Sequence, residues 1–380
     1  MKNPQINNGK RIVRTLSRTV DNAVLLALLV TLVVACFAFW DTHQVYVAAE
    51  ASHYDTYKPS GEDTKSFEDF RAINSDVIGW ITVYDTRIDY PVLHSSTPNE
   101  EYLSKNAMKE WEGSGSLFID HANKSDFSDF NTIIFGHHMT GGAMFGDVDL
   151  FLEKDFFDEH KYGNLFFSDT GFELVQKTSS NPGATAPNGL QYEFTSFQGR
   201  NHGIEFFAII LADGYDTGIY GVPSVSEEAK QKTLQSIAAR AIHVRNLSTG
   251  ETKTVGKTNG SSLVKTDSID SSYFGVSTRD KIVLLSTCSA DITNGRFVLI
   301  GRITDSEISN PFPEEERSKP EGDLDIFNFL DKYADFTIWQ WILILVGLIL
   351  LTWLLYRAEK GRLKRRRKKK QKALESRSQE

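Results

Sequence analysis

Short apolar runs alternate with polar, glycine-bearing turns through most of the chain. Residues 81–83, 88–92, 132–135, 165–167, 172–175, 192–197, 206–211, 282–285 and 297–300 are each too short for a stable helix and read as strands. Many short strands joined by polar turns predict a mainly β fold, a closed barrel rather than a βαβ sheet. Helical patterns are confined to a few places. Residues 66–72 predict a short helix packing Phe67 and Phe70, and the acid- and aromatic-rich 146–160 a helix over the barrel surface. Ser224 with Glu227 forms a capping-box signature. After it, Leu234, Ile237, Ala238, Ala241 and Ile242 recur at helical spacing and predict an amphipathic helix near 225–244. The polar stretches 178–188 and 246–271 predict mobile loops.

Two longer apolar runs change this picture. Residues 23–40 are uncharged and follow Lys10, Arg11, Arg14 and Arg18. An uncleaved membrane anchor is the expectation, and a signal cut after the small residues Val47, Ala48 and Ala49 is the competitor. Residues 336–356 would rise about 31 Å as a helix, close to the hydrocarbon thickness of a bilayer. Trp339 and Trp341 lie near one end and Trp353 and Tyr356 near the other, as interfacial belts require. The fold expected is therefore a barrel flanked by N- and C-terminal transmembrane helices.

Charge orients the arrangement. The chain carries a net −8, yet residues 1–22 carry +4 and residues 357–380 carry +9, so the middle is strongly acidic. Basic ends predict that both termini are cytoplasmic and that the middle lies outside the cell. An acidic middle argues against a nucleic-acid partner. The divisions that follow are a basic N-terminus (1–22), an anchor (23–40), a polar stalk (41–65), a catalytic domain (66–304), an acidic linker (305–335), a second span (336–356) and a polybasic tail (357–380).

Chemistry concentrates at two strand ends. Cys288 follows the apolar run 282–285, and the polar residues 289–295 after it read as a loop, with Arg296 opening the next strand. A thiol there is either a small core side chain or, beside a cation, an ionisable nucleophile. Cys36 lies inside the first apolar run, so no disulfide with Cys288 is expected, and an unpaired thiol is unusual in an exported domain. The second stretch is Phe135-Gly136-His137-His138-Met139, where Gly136 allows the backbone a conformation that other residues resist. Neighbouring histidines on an extended chain project to opposite sides, and no third ligand accompanies them, so no metal and no cofactor are expected.

Leu285-Ser286-Thr287-Cys288, with Arg296 eight residues on, resembles the signature of the sortases, membrane-bound cysteine transpeptidases of Gram-positive bacteria. Asp76-Val77-Ile78-Gly79-Trp80-Ile81 and Ile88-Asp89-Tyr90-Pro91-Val92 resemble the opening of a sortase domain, Phe135-Gly136-His137-His138-Met139 and Ala143-Met144-Phe145-Gly146 are similar to class B members, and the resemblance covers about 66–304. It implies a sortase-type barrel, with Cys288 as nucleophile, His137 as acid and base, Arg296 as oxyanion donor, and Ser286 and Thr287 lining the peptide groove. His138 is the lesser alternative to His137, and Asp291 a candidate to orient the histidine. The implied substrates are surface proteins or pilins with an Asn-Pro-x-Thr or Leu-Pro-x-Thr sorting signal. The implied acceptor is an amine of a peptidoglycan precursor or a pilin. A second span is more familiar in pilus-assembling class C members, but the Asp-Pro-aromatic lid motif of that class is absent from 41–75. A hydrolytic cysteine protease and a non-enzymatic membrane sensor are the rival expectations.

Overall fold

The computed structural model describes residues 4–60, 65–95, 101–139, 142–168, 174–177, 191–194, 199–259, 262–288 and 295–312. The first helix, α1 (Pro4–Ala48), contains the stretch Thr19–Asp41, which is long and apolar enough to cross a membrane. Its Leu25, Leu26, Leu28, Leu32 and Phe39 are exposed, as a lipid-facing helix requires. The expected second span at 336–356 lies outside the described residues, as does the polybasic tail.

Residues 45–322 form one compact unit built on strands. After α2 (Lys65–Ile73) come β1 (Val77–Val83), β2 (Asp89–Leu93), β3 (Leu117–Ile119), β4 (Asn131–Gly136), α3 (Lys154–Glu159) and β5 (Tyr162–Phe167). A separate hairpin, β6 (Leu174–Lys177) with β7 (Gln191–Phe194), precedes the long β8 (Arg200–Asp213). Helices α4 (Thr217–Tyr220) and α5 (Glu227–Arg240) lead to β9 (Ala241–Arg245), β10 (Thr252–Thr254), β11 (Gly256–Asn259) and β12 (Ser262–Lys265). The last two strands are β13 (Lys281–Cys288) and β14 (Gly295–Ile303).

The sheet runs β8-β14-β13-β4-β3-β2-β1-β5, and β5 pairs back onto β8, which closes an eight-stranded mixed barrel. Strand β8 manages both roles because it is long. Residues 200–205 pair with β5, and 208–210 pair with β9, which extends the sheet outward together with β10. The barrel expected from the short apolar runs is the one observed.

Continuous apolar strands mean that both faces are covered. Val283, Leu285, Phe297 and Leu299 point into the barrel beside Ile81, Ile134 and Phe206. Ile282, Leu284, Val298 and Ile300 point outward, under Leu234, Ile237 and Ala238 of α5. A third cluster joins Phe67 and Phe70 of α2 to Trp80, Tyr54 and Phe166. Residues 49–57, expected as polar stalk, join this packing. Ala49 and Tyr54 are buried, and the Tyr90 hydroxyl donates to the Ala49 carbonyl at 2.9 Å.

Two local expectations are corrected. The predicted 225–244 helix starts at Ser226, whose hydroxyl accepts from the Ala229 amide at 3.1 Å, and ends at Arg240. Ser224, read as the cap, instead bonds Thr233. Ala241 and Ile242 fit the helical spacing but continue as β9, where the two take opposite faces of the sheet. The stretch 246–271, read as a mobile loop, holds β10 and the β11–β12 hairpin. Its Lys265 donates to the carbonyls of Ala238 and Ala241, a cation satisfying the unpaired end of α5. The loop expected at 178–188 lies outside the described residues.

Candidate active site

Strand β13 is central, and its two neighbours carry the other candidate residues. Along one edge it runs parallel to β4, with Thr287 level with Gly136. Along the other it runs antiparallel to β14, with Cys288 directly opposite Arg296. Position 288 ends its strand, flanked by the residue after Gly136 and by the second residue of β14. The register thus brings His137 to the barrel rim that holds Cys288 and Arg296, more than 150 positions further along the chain. Asp291 lies outside the described residues.

Gly136 serves a purpose other than the expected one. Its φ is not left-handed. A methyl group there would instead overlap Leu117 and lie 2.6 Å from the ring of Phe145. The absence of a side chain lets buried Phe145 pack against the end of β4. That contact anchors the loop bearing both histidines.

The loop is tied down at several of its described residues. The Phe145 amide donates to the His137 carbonyl at 3.0 Å, and His138 pairs with Met144. Met144 holds φ 55°, uncommon for a residue with a long side chain. Its amide donates to the Tyr90 hydroxyl at 3.0 Å. Burial pushes the Tyr90 phenol up, so it stays protonated and keeps its own donor bond to Ala49.

The two histidine rings have different partners. His137 Nε2 lies 2.9 Å from the Leu103 carbonyl, while His138 Nε2 lies 2.7 Å from Asp149 Oδ2. The carboxylate therefore belongs to the second histidine, and a backbone carbonyl to the first. Leu103 sits at the end of a short turn (Glu101–Leu103) that is anchored by buried Tyr102. The Tyr102 hydroxyl donates to Asp76 at 2.7 Å and accepts from Asn74 at 3.2 Å.

Ser286 and Thr287, expected to line a groove, are each 1% exposed. Ser286 Oγ shares a 2.9 Å hydrogen bond with the Tyr220 hydroxyl, and the Tyr220 ring stacks on Phe135. Thr287 Oγ1 has no hydrogen-bond partner among the described residues. Tyr220, at the end of α4, thus covers β4 and β13 two positions before His137 and Cys288. Arg296 is half-buried, and among the described residues its guanidinium meets only the Gly295 carbonyl, at 3.4 Å. No carboxylate among them pairs with it.

Leu103, Asp149 and Tyr220 were not anticipated from the sequence. A backbone carbonyl carries no residue signature. Asp149 is one acid among many in 146–160, and Tyr220 lies in a stretch without periodicity.

No family model matches the chain. It is 29% identical to the sortase B of Listeria monocytogenes serovar 1/2a over 252 residues, which cover 65% of this chain and 78% of that protein. It is 33% identical to the sortase B of Staphylococcus aureus over 132 residues, 35% of this chain and 53% of that protein. Among solved structures, the sortase B from the type II pilus of Streptococcus pneumoniae is 31% identical, with a TM-score of 0.42 over 65% of this chain and 100% of its own. The sequence relatives, matching a chain that closes a barrel around a cysteine-bearing strand, make this protein a cysteine transpeptidase of the sortase family, class B-like.

Proposed function

We propose that the chain cleaves a C-terminal sorting signal through a Cys288 thioester and transfers the acyl group to an amine. The supporting observation is the register of β13, which sets Cys288 opposite Arg296 and Thr287 level with Gly136. Cys288 attacks the backbone carbonyl after the signal's threonine. His137 protonates the departing amine and later takes a proton from the incoming one. Arg296, whose planar fork meets no carboxylate among the described residues, donates to the oxyanion. Tyr220 and the excursion between β8 and β13 form one wall of the peptide groove, with Ser286 behind Tyr220.

The signal is of the Asn-Pro-x-Thr type, as the class B resemblance suggests, and the acceptor is a cell-wall or pilin amine. The first apolar helix anchors the enzyme, the barrel faces outward, and the segment 336–356 returns the chain to the cytoplasm. Full-length protein in detergent is to be incubated with an Asn-Pro-x-Thr peptide and oligoglycine. Ligated peptide is the expected product. Hydrolysis alone would make the protein a protease, and an uncleaved peptide would overturn the reading. Cysteine labelling on intact cells should reach 41–335 but not the tail after 356. A labelled tail would contradict the topology.

A further inference from the structure

Resting on that reading, we infer that the Leu103 carbonyl fixes the proton of His137 on Nε2, that the transferred proton travels through Nδ1, and that Gly115 is the positioning residue that keeps this carbonyl in place. A carbonyl oxygen only accepts. A 2.9 Å contact with Nε2 therefore requires the Nε2–H form of the ring, in the neutral and the protonated state alike. Nδ1 is left as the nitrogen whose proton comes and goes. In acylation the Cys288 thiolate, its proton held on Nδ1, forms the sulfur–carbon bond; the peptide carbon–nitrogen bond breaks, and the departing nitrogen keeps that bond's electron pair and takes the Nδ1 proton. In transfer the incoming amine nitrogen forms the new amide bond, Nδ1 accepts its proton, and the carbon–sulfur bond breaks to return Cys288 as thiolate. Nε2–H stays on Leu103 throughout.

The carbonyl is held there by the chain's own packing. Gly115 takes a left-handed conformation, φ 61°, directly against the turn. A methyl group on it would overlap the Tyr102 carbonyl and lie 2.8 Å from the Leu103 oxygen. The Ser116 amide donates to the Tyr102 carbonyl at 2.9 Å, and the Ser116 hydroxyl to Lys105 at 2.8 Å, so the turn is clasped from that side. On the other side buried Tyr102 is bonded to Asp76 and Asn74. An alanine at 115 can be accommodated only by moving the peptide that accepts from His137.

The test is the tautomer of His137, read by long-range proton–nitrogen spectra of the full chain in detergent with ¹⁵N-histidine. The signals are assigned by their loss in His137→Ala. The neutral ring should show a protonated Nε2 and a bare Nδ1. An Nδ1–H ring, or an average of both forms, would overturn the inference. Gly115→Ala should move the ring toward the averaged form and slow transfer about tenfold or more, with KM little changed. If Gly115→Ala does not fold, Tyr102→Phe, which keeps the ring and loses both hydroxyl bonds, should show the same drift more weakly. Slowed transfer with an unmoved tautomer in the variant that folds would also overturn it. The two readings fail separately. Full turnover by His137→Ala would remove the proposed catalysis whatever the tautomer, and an inert His137→Ala beside an Nδ1–H wild type would remove this inference alone.

Discussion

The two strands flanking β13 deliver their residues in opposite ways. On the β4 side the pairing is parallel, and His137 sits on a loop fastened at four places: by Phe145 against Gly136, by Tyr90 on Met144, by Asp149 on His138 and by Leu103 on the ring itself. On the β14 side the pairing is antiparallel, and Arg296 has only the weak 3.4 Å contact to Gly295 among the described residues. In the proposed mechanism His137 hands a proton back and forth, and these contacts hold it in one orientation, as acid–base catalysis needs. Arg296 is proposed to follow an oxyanion, and among the described residues none of its donors is spent on a carboxylate. The rim is rigid on one flank and receptive on the other.

Breaking the centre should have the largest effect. Cys288→Ala should abolish cleavage and transfer with the circular-dichroism melt little changed, because alanine suits a strand end. Next comes the rigid flank. His137→Ala should cost about a thousandfold in kcat/KM, within the range for losing a general acid and base. His138→Ala loses the bond to Asp149, away from the Leu103 carbonyl, and should cost about tenfold or less. Equal losses in steady-state assays would erase the distinction between the two rings.

The receptive flank is probed by Arg296→Lys, which keeps the charge and loses the planar fork. It should lower kcat about a hundredfold, the scale of one oxyanion donor. Near-normal rates would reduce Arg296 to a point charge. A further probe concerns the wall beside Tyr220. Matched Asn-Pro and Leu-Pro peptides should differ by about 1–3 kcal/mol in transition-state binding, favouring asparagine, since a polar wall leaves no amide unpaired. A clear preference for leucine in competition assays would point instead to a pilus-type signal.

What could be read from the sequence follows the same division. Strand patterns around 282–285, 297–300 and 132–135 anticipated a barrel, because strands buried on both faces leave unbroken apolar runs. They also put Cys288, Arg296 and His137 at strand ends, where the register now makes them neighbours. The fastening of the rim was illegible. Leu103 acts through a carbonyl that any residue would supply, and Gly136 is required by the approach of Phe145, a contact across ten residues that only the fold creates. The helix expected at 225–244 overran its end because Ala241 and Ile242 satisfy helical and strand spacing equally until β8 claims them. Burial of Ser286 under Tyr220 depends on α4, which has no periodicity to announce it.

The most direct measurement is the mass of the intact enzyme after brief incubation with an Asn-Pro-x-Thr peptide and no amine acceptor. The account predicts an added mass equal to the peptide acylated through its threonine, mapped to Cys288, lost on adding oligoglycine and absent from Cys288→Ala. Cleavage of the peptide with no adduct on Cys288, or with Cys288→Ala still active, would contradict it.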